Sequence, residues 1–168
     1  ASLSMHYINA VRFKFVDEAE VPGLREAAMG LAQRAVQHAP NSSSAFHALA
    51  LAQWFARQVE LSLSSYRTAM RLNPNDAELA ADLSMRLAMR MQWEPAMHLY
   101  HDAVRRDPFL FVTCRVAAFL YHYAAGRHAE ALEEARRAHA PEVIYTHIMR
   151  AAAAAELGLQ DEARAAVD

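Results

Sequence analysis

The chain has 168 residues, of which 54% are apolar and 21% charged, a balance that excludes a disordered or fibrous polypeptide and suffices for one domain with a sizeable core. A formal net charge of −2 excludes the clustered basic footprint with which nucleic-acid-binding domains meet phosphate. No run reaches the roughly 18 apolar residues that a membrane-spanning helix needs, and no leader-like segment opens the chain, so a cytoplasmic protein without a membrane partner is expected.

Only four glycines occur, and no Val/Ile/Thr-rich alternating segment is bounded by turns. Long Ala, Leu, Glu and Arg runs carry a helical period instead, so the whole chain reads as all-α. A first helix is expected from about Asn9, around Arg12, Phe13 and Phe15, followed by the acidic turn DEAEVPG. Next come Ala28, Ala32, Ala35 and Pro40, which fall in step with Ser62, Tyr66, Ala69 and Pro74, and again with Ala96, Tyr100, Ala103 and Pro108. Steps of four and three put a small residue, a ring or small apolar group, and a second small residue on one helical stripe, where a neighbouring helix can approach closely. The proline lacks the donor that would extend the helix and biases the residue before it, Asn73 or Asp107, towards extended dihedrals. Asn75 or Asp76, and Ser42 to Ser44, are then placed to cap the following helices.

Ahead of each stripe lies another helix of about 14 residues, expected over Ser44 to Arg57, Ala77 to Met91 and Phe111 to Ala125. Its packing positions are Phe46, Leu49 and Ala50, then Ala80, Leu83 and Ser84, then Cys114, Ala117 and Ala118. Each unit is thus a helical hairpin. Pro40, Pro74, Pro108 and Pro141 space the units by 34, 34 and 33 residues. The fourth hairpin turns at AAGRHAEAL and carries Ala131, Ala135 and Ala138; a fifth opens near Ile144, turns at ELGLQDEA and stops within its second helix. The apolar side of its closing ARAAV is expected either to continue into a longer protein or to be covered by self-association, making a homo-oligomer one expectation.

These spacings resemble the tetratricopeptide repeat (TPR), which pairs a bulky residue and Leu-Gly in one helix with Ala, an aromatic, Ala and Pro in the next. The resemblance implies a right-handed α-solenoid of about four and a half repeats in a single domain over 1–168, with units at 9–42, 43–76, 77–110, 111–143 and 144–168. The second and third units match best; the first lacks the bulky-Leu-Gly pattern. More loosely, RLNPND, RRDPF and AAGRHAEALEEARRA look like the TPR regions attached to bacterial adenylate cyclase homologues and winged-helix transcription regulators.

In a TPR stack the first helices line a concave groove, and the resemblance implies a non-catalytic module that binds a peptide or helix of a protein partner there. Carried over, the groove faces are His47, Leu51, Trp54 and Phe55; Glu78, Asp82, Met85 and Met89; Arg115, Phe119, His122 and Tyr123; then Tyr145, Ile148 and Met149. Methionines and aromatics suit an amphipathic partner, but the same apolar stripe is equally what a flanking helix or plain core packing would consume. Arg115 alone cannot form the Lys/Asn/Arg carboxylate clamp of chaperone-binding TPRs, and the chain's single lysine is Lys14. The alternative is a regulatory or oligomerisation arm of a larger bacterial signalling or transcription-regulating protein, its groove filled by its own chain or a second copy.

No cofactor, metal or catalytic residue is expected. His98, His101 and Asp102 share a helix at ligand-like spacing, yet no second ligand pair accompanies them and a solvated face explains them. The pairs Arg105-Arg106 and Arg136-Arg137 read as solvated helix ends, Glu130, Glu133 and Glu134 as an exposed acidic face, and the lone Cys114 as a buried thiol in a reducing compartment. Scattered glycines give neither a dinucleotide fingerprint nor a phosphate loop.

Overall fold

The computed structural model describes residues 1–12, 15–109, 112–138 and 143–167, with backbone alone at 112–114. The side chains of Cys114, Phe13 and Lys14, and the whole of Pro141, lie outside the described residues. Those described form ten α-helices and no strand. They are α1 Ser2–Arg12, α2 Val21–His38, α3 Ser43–Phe55, α4 Val59–Leu72, α5 Ala77–Ala88, α6 Trp93–Arg106, α7 Val112–Ala124, α8 His128–Arg137, α9 Ile144–Glu156 and α10 Gln160–Ala165. Contacts divide the chain into two compact units, Ala1–Leu79 and Ala80–Asp168.

The helix ends follow the local chemistry. Ala39, Asn73 and Asp107, each preceding a proline, take φ of −137°, −140° and −137°, and each donates its N–H to the carbonyl of Ala35, Ala69 or Ala103. The ring of the next residue forbids helical dihedrals there, so the stripe alanine's carbonyl receives the last bond of each helix. Ser42 starts α3 by accepting the N–H of Ala45 on its hydroxyl at 3.2 Å, and Asp76 starts α5 by accepting that of Leu79 at 3.0 Å. Such caps stabilise by about 1 kcal/mol.

Inside the hairpins one turn recurs. The N–H groups of Gln58, Gln92, Arg127 and Leu159 each donate to the carbonyl five residues earlier, at 2.9, 3.0, 2.9 and 2.9 Å. The residue preceding each donor is left-handed: Arg57 at φ 61°, Met91 at 57°, Gly126 at 71° and Gly158 at 72°. This 6→1 bond closes the end of the first helix and aims the chain back along it.

In the first unit α1 packs on α2 and α3, α2 on α3, and α3 on α4. Helix α1 begins at Ser2, upstream of the start near Asn9 that the repeat pattern suggests, because its register is set by a partner rather than by period. Ser4, fully buried, donates from Oγ to the carbonyl of Ala28 at 2.8 Å. The α3–α4 hairpin is joined the same way, Ser62 Oγ donating to the Ala50 carbonyl at 2.7 Å. Around that seam Leu63, Tyr66 and Ala69 are buried against α3.

The second unit repeats the seam with the donor on the other helix. Ser84 on α5 donates from Oγ to the Ala96 carbonyl on α6 at 2.7 Å. Beyond it, Val116 and Phe119 of α7, Ala131, Leu132 and Ala135 of α8, and Met149, Ala153 and Ala154 of α9 form one cluster with Met85. Helices α7 and α8 also pack together, and Ala118 of the first and Ala131 of the second have no exposed surface.

Candidate functional site

Each expected groove residue has a place within its own unit. In the first, α3 buries His47 and Leu51, the His47 ring lying 5.7 Å from that of Tyr66. Trp54 and Phe55, one turn further on, are half-buried. The last turn of α3 runs past the tightest part of the seam, so its bulky side chains keep a partly open face.

In the second unit α5 buries both Asp82 and Met85, with Asp82 paired to Arg86 at 3.1 Å, while Met89 just past the helix is 49% exposed. Phe119 of α7 is buried in the core and stacks on Tyr123, ring centroids 5.4 Å apart at 24°. Tyr123 is half-buried and donates its hydroxyl to Glu156 at 3.2 Å; burial first, then this carboxylate, raises its phenol above the usual value. His122 is half-buried, and desolvation, helped by the Arg127 guanidinium, lowers its imidazole below the ordinary range. Arg127 itself sits 4.6 Å over the Tyr121 ring. On α9, Tyr145 packs at the edge of the core, Met149 is inside it, and Ile148 is 57% exposed.

Packing inside the chain therefore claims His47, Leu51, Asp82, Met85 and Phe119, whereas Trp54, Phe55, Met89, His122, Tyr123 and Tyr145 retain surface. For Leu51, Met85 and Phe119 the physical reason is period, since apolar side chains three and four apart on a first helix are drawn into the packing, whereas Asp82 is buried with Arg86 as its pair and His47 against the Tyr66 ring.

Arg115, expected on the groove face, pairs within the chain. Its Nη1 donates to the Tyr100 hydroxyl at 3.0 Å and to Glu134 Oε2 at 3.1 Å, and the Tyr100 hydroxyl donates to the same carboxylate at 3.0 Å. One residue from each of α6, α7 and α8 thus meets in a mostly buried polar triangle. Glu134, expected on an exposed acidic face, is buried, since two donors satisfy its carboxylate.

A second polar centre has no signature in the repeat pattern. Glu162 of α10 accepts from Arg136 of α8 through Nε at 3.0 Å and Nη2 at 2.6 Å, and from Arg150 of α9 through Nε at 2.9 Å. The bidentate Arg136 contact, followed by Arg150, holds its carboxyl at about 2. Arg136 is thus at an exposed helix end, as expected, and also paired. His98 and His101 are exposed on α6 as expected, and among the described residues no three His, Cys, Asp or Glu side chains gather in a way that could hold a metal. No described helix is long and apolar enough to cross a membrane.

No family model matches the sequence, nor does any curated protein. Several solved structures resemble the fold. A crystal structure of MamA superposes with a TM-score of 0.64 at 17% identity, covering 89% of this chain and 88% of that one. A second MamA structure gives 0.63 at 15% identity, over 98% and 88%. An O-GlcNAc transferase mutant of Thermobaculum terrenum gives 0.62 at 26% identity, over 81% of this chain. The match spans only 25% of the transferase. The likeness fixes the fold as a TPR-like α-solenoid of helical hairpins.

Proposed function

We propose that the chain is a non-catalytic protein–protein interaction module, its first helices receiving an amphipathic helix or extended peptide of a protein partner. The observation that supports it is the bulky apolar surface left on those helices after the seams have closed. In the first unit this is Trp54 and Phe55; in the second it is Met89, Tyr123, Tyr145 and Ile148. Aromatic and thioether side chains on a stiff helical frame give large contact area at small entropic cost, which is the composition of binding hot spots. TPR-like neighbours agree with a scaffold role.

The test needs a reporter on the surface itself. In a Trp93→Phe background, Trp54 is the only indole, and its emission is expected to shift when a captured partner is added. Tyr145→Ala and Ile148→Asp are expected to weaken capture at least tenfold with helicity unchanged. Unchanged capture by both variants would refute the reading for the second unit.

One observation favours the alternative, a regulatory or oligomerisation arm. Leu157, Leu159 and Val167 around α10 are exposed, Val167 by 69%. Such residues suit self-association, which light scattering would reveal as twice the chain mass, abolished by Val167→Asp.

A further inference from the structure

Between α8, α9 and α10 lies a cleft of about 190 Å³ lined by Ala135, Arg136, Thr146, His147, Arg150 and the last turn, Ala165 and Ala166. We infer that this cleft is an anion site that takes a phosphate group. It is separate from the helical surface proposed above and does not depend on it.

Charge and geometry both favour an anion. Two guanidiniums line the cleft, and one carboxylate, Glu162, is shared between them, so the cluster keeps one positive charge. Glu162 engages Nε and Nη2 of Arg136 and only Nε of Arg150. Arg136 Nη1 and both Nη atoms of Arg150 retain no protein acceptor among the described residues. Planar N–H forks of this kind are the side-chain groups best matched to phosphate oxygens. The bonds to Glu162 also fix both forks, so little side-chain entropy remains to be lost when an anion arrives.

On α9, beside Arg150, two further lining residues are similarly constrained. His147 uses Nδ1 as donor to the Ala166 carbonyl at 3.0 Å, and Thr146 commits its hydroxyl to the Val143 carbonyl at 2.7 Å. Both side chains are therefore held in place, with Ala135, Ala165 and Ala166 keeping the cleft open beside them. The cleft volume admits a tetrahedral oxyanion with room for water, and the uncommitted guanidinium nitrogens of two lining arginines suit a group with three acceptor oxygens and about two charges better than a planar carboxylate with two oxygens.

The experiment titrates the full chain at low ionic strength with inorganic phosphate and, in a second arm, with O-phosphoserine, following heat and the His147 ring resonances. Saturable one-site binding is expected in both arms; equal affinity identifies the free ion as ligand, and tighter phosphoserine binding identifies a phosphorylated side chain. Arg136→Gln and Arg150→Gln should each weaken binding about tenfold, while Arg105→Gln on α6 should leave it unchanged. Glu162→Gln should act in the opposite direction and tighten binding, because it removes the competing negative charge while keeping an acceptor; a loosened α10 could only weaken binding. Non-saturable response, insensitivity to the two arginine variants, or weaker binding by Glu162→Gln overturns the inference.

Discussion

The α3–α4 hairpin of the first unit and the α5–α6 hairpin of the second solve one problem with their residues exchanged. In the former the serine is on the second helix, Ser62, and the alanine on the first, Ala50; in the latter the serine is on the first helix, Ser84, and the alanine on the second, Ala96. Both hydroxyls reach the opposite carbonyl at 2.7 Å. The two hairpins share a pair of small side chains, one of them a donor to the opposite helix; which helix supplies the donor is free. The α7–α8 hairpin buries alanines without a donor, Ala118 on one helix and Ala131 on the other. Close approach is the requirement, and the hydrogen bond is an addition to it.

The largest effect is expected where α7–α8 substitutes a different fastening, the Tyr100–Arg115–Glu134 triangle. Glu134→Leu removes the acceptor shared by two donors and strands the Arg115 charge, so a loss of about 3 kcal/mol is expected. Hydrogen exchange should show it concentrated in α6, α7 and α8. Tyr100→Phe, which leaves the ion pair intact, should cost about 1 kcal/mol.

A smaller effect separates size from bonding. Ser84→Val overfills a position with no free surface and should destabilise by about 1–3 kcal/mol. Ser84→Ala removes only a donor whose carbonyl partner lies within a helix, and should cost about 0.5–1 kcal/mol. If both variants melted at the same temperature, close approach would not be the controlling property.

The smallest effects come from the turns. A methyl group placed on Gly126, at φ 71°, would meet nothing within 4 Å, so Gly126→Ala strains the backbone alone, by about 1 kcal/mol. Met91 occupies the equivalent place in the α5–α6 hairpin at φ 57°, and Met91→Gly should relieve left-handed strain and stabilise by a similar amount. Thermal midpoints of the two variants should therefore move in opposite directions.

Much of this architecture is legible in the residues alone. The proline spacing locates the ends of α2, α4 and α6, and the small-residue stripes name Ala50, Ser62, Ser84 and Ala96 as packing positions. Caps at Ser42 and Asp76 follow from residue type. The start of α1 is not legible, because Ser4 is held by Ala28, 24 residues away, and no period links them. Nor are the left-handed Arg57 and Met91, which carry no glycine signal. Glu134 reads as solvated from helical periodicity alone; its donors come from other helices, 34 and 19 residues away. The groove residues divide as an apolar stripe divides: Leu51, Met85 and Phe119 go to the core, and Trp54, Met89 and Tyr145 keep surface, an outcome that hydrophobicity cannot rank.

Helix α10 has six residues, fewer than a helix needs to persist by itself in water. Its ionic attachment is one carboxylate gripped by two half-exposed guanidiniums, an electrostatic latch that dissolved ions can shield within about 10 Å at 0.1 M, beside the neutral His147 bond to the Ala166 carbonyl. Raising ionic strength should loosen this last turn of the molecule while the serine-sealed hairpins, joined by neutral bonds deep in the interior, hold firm.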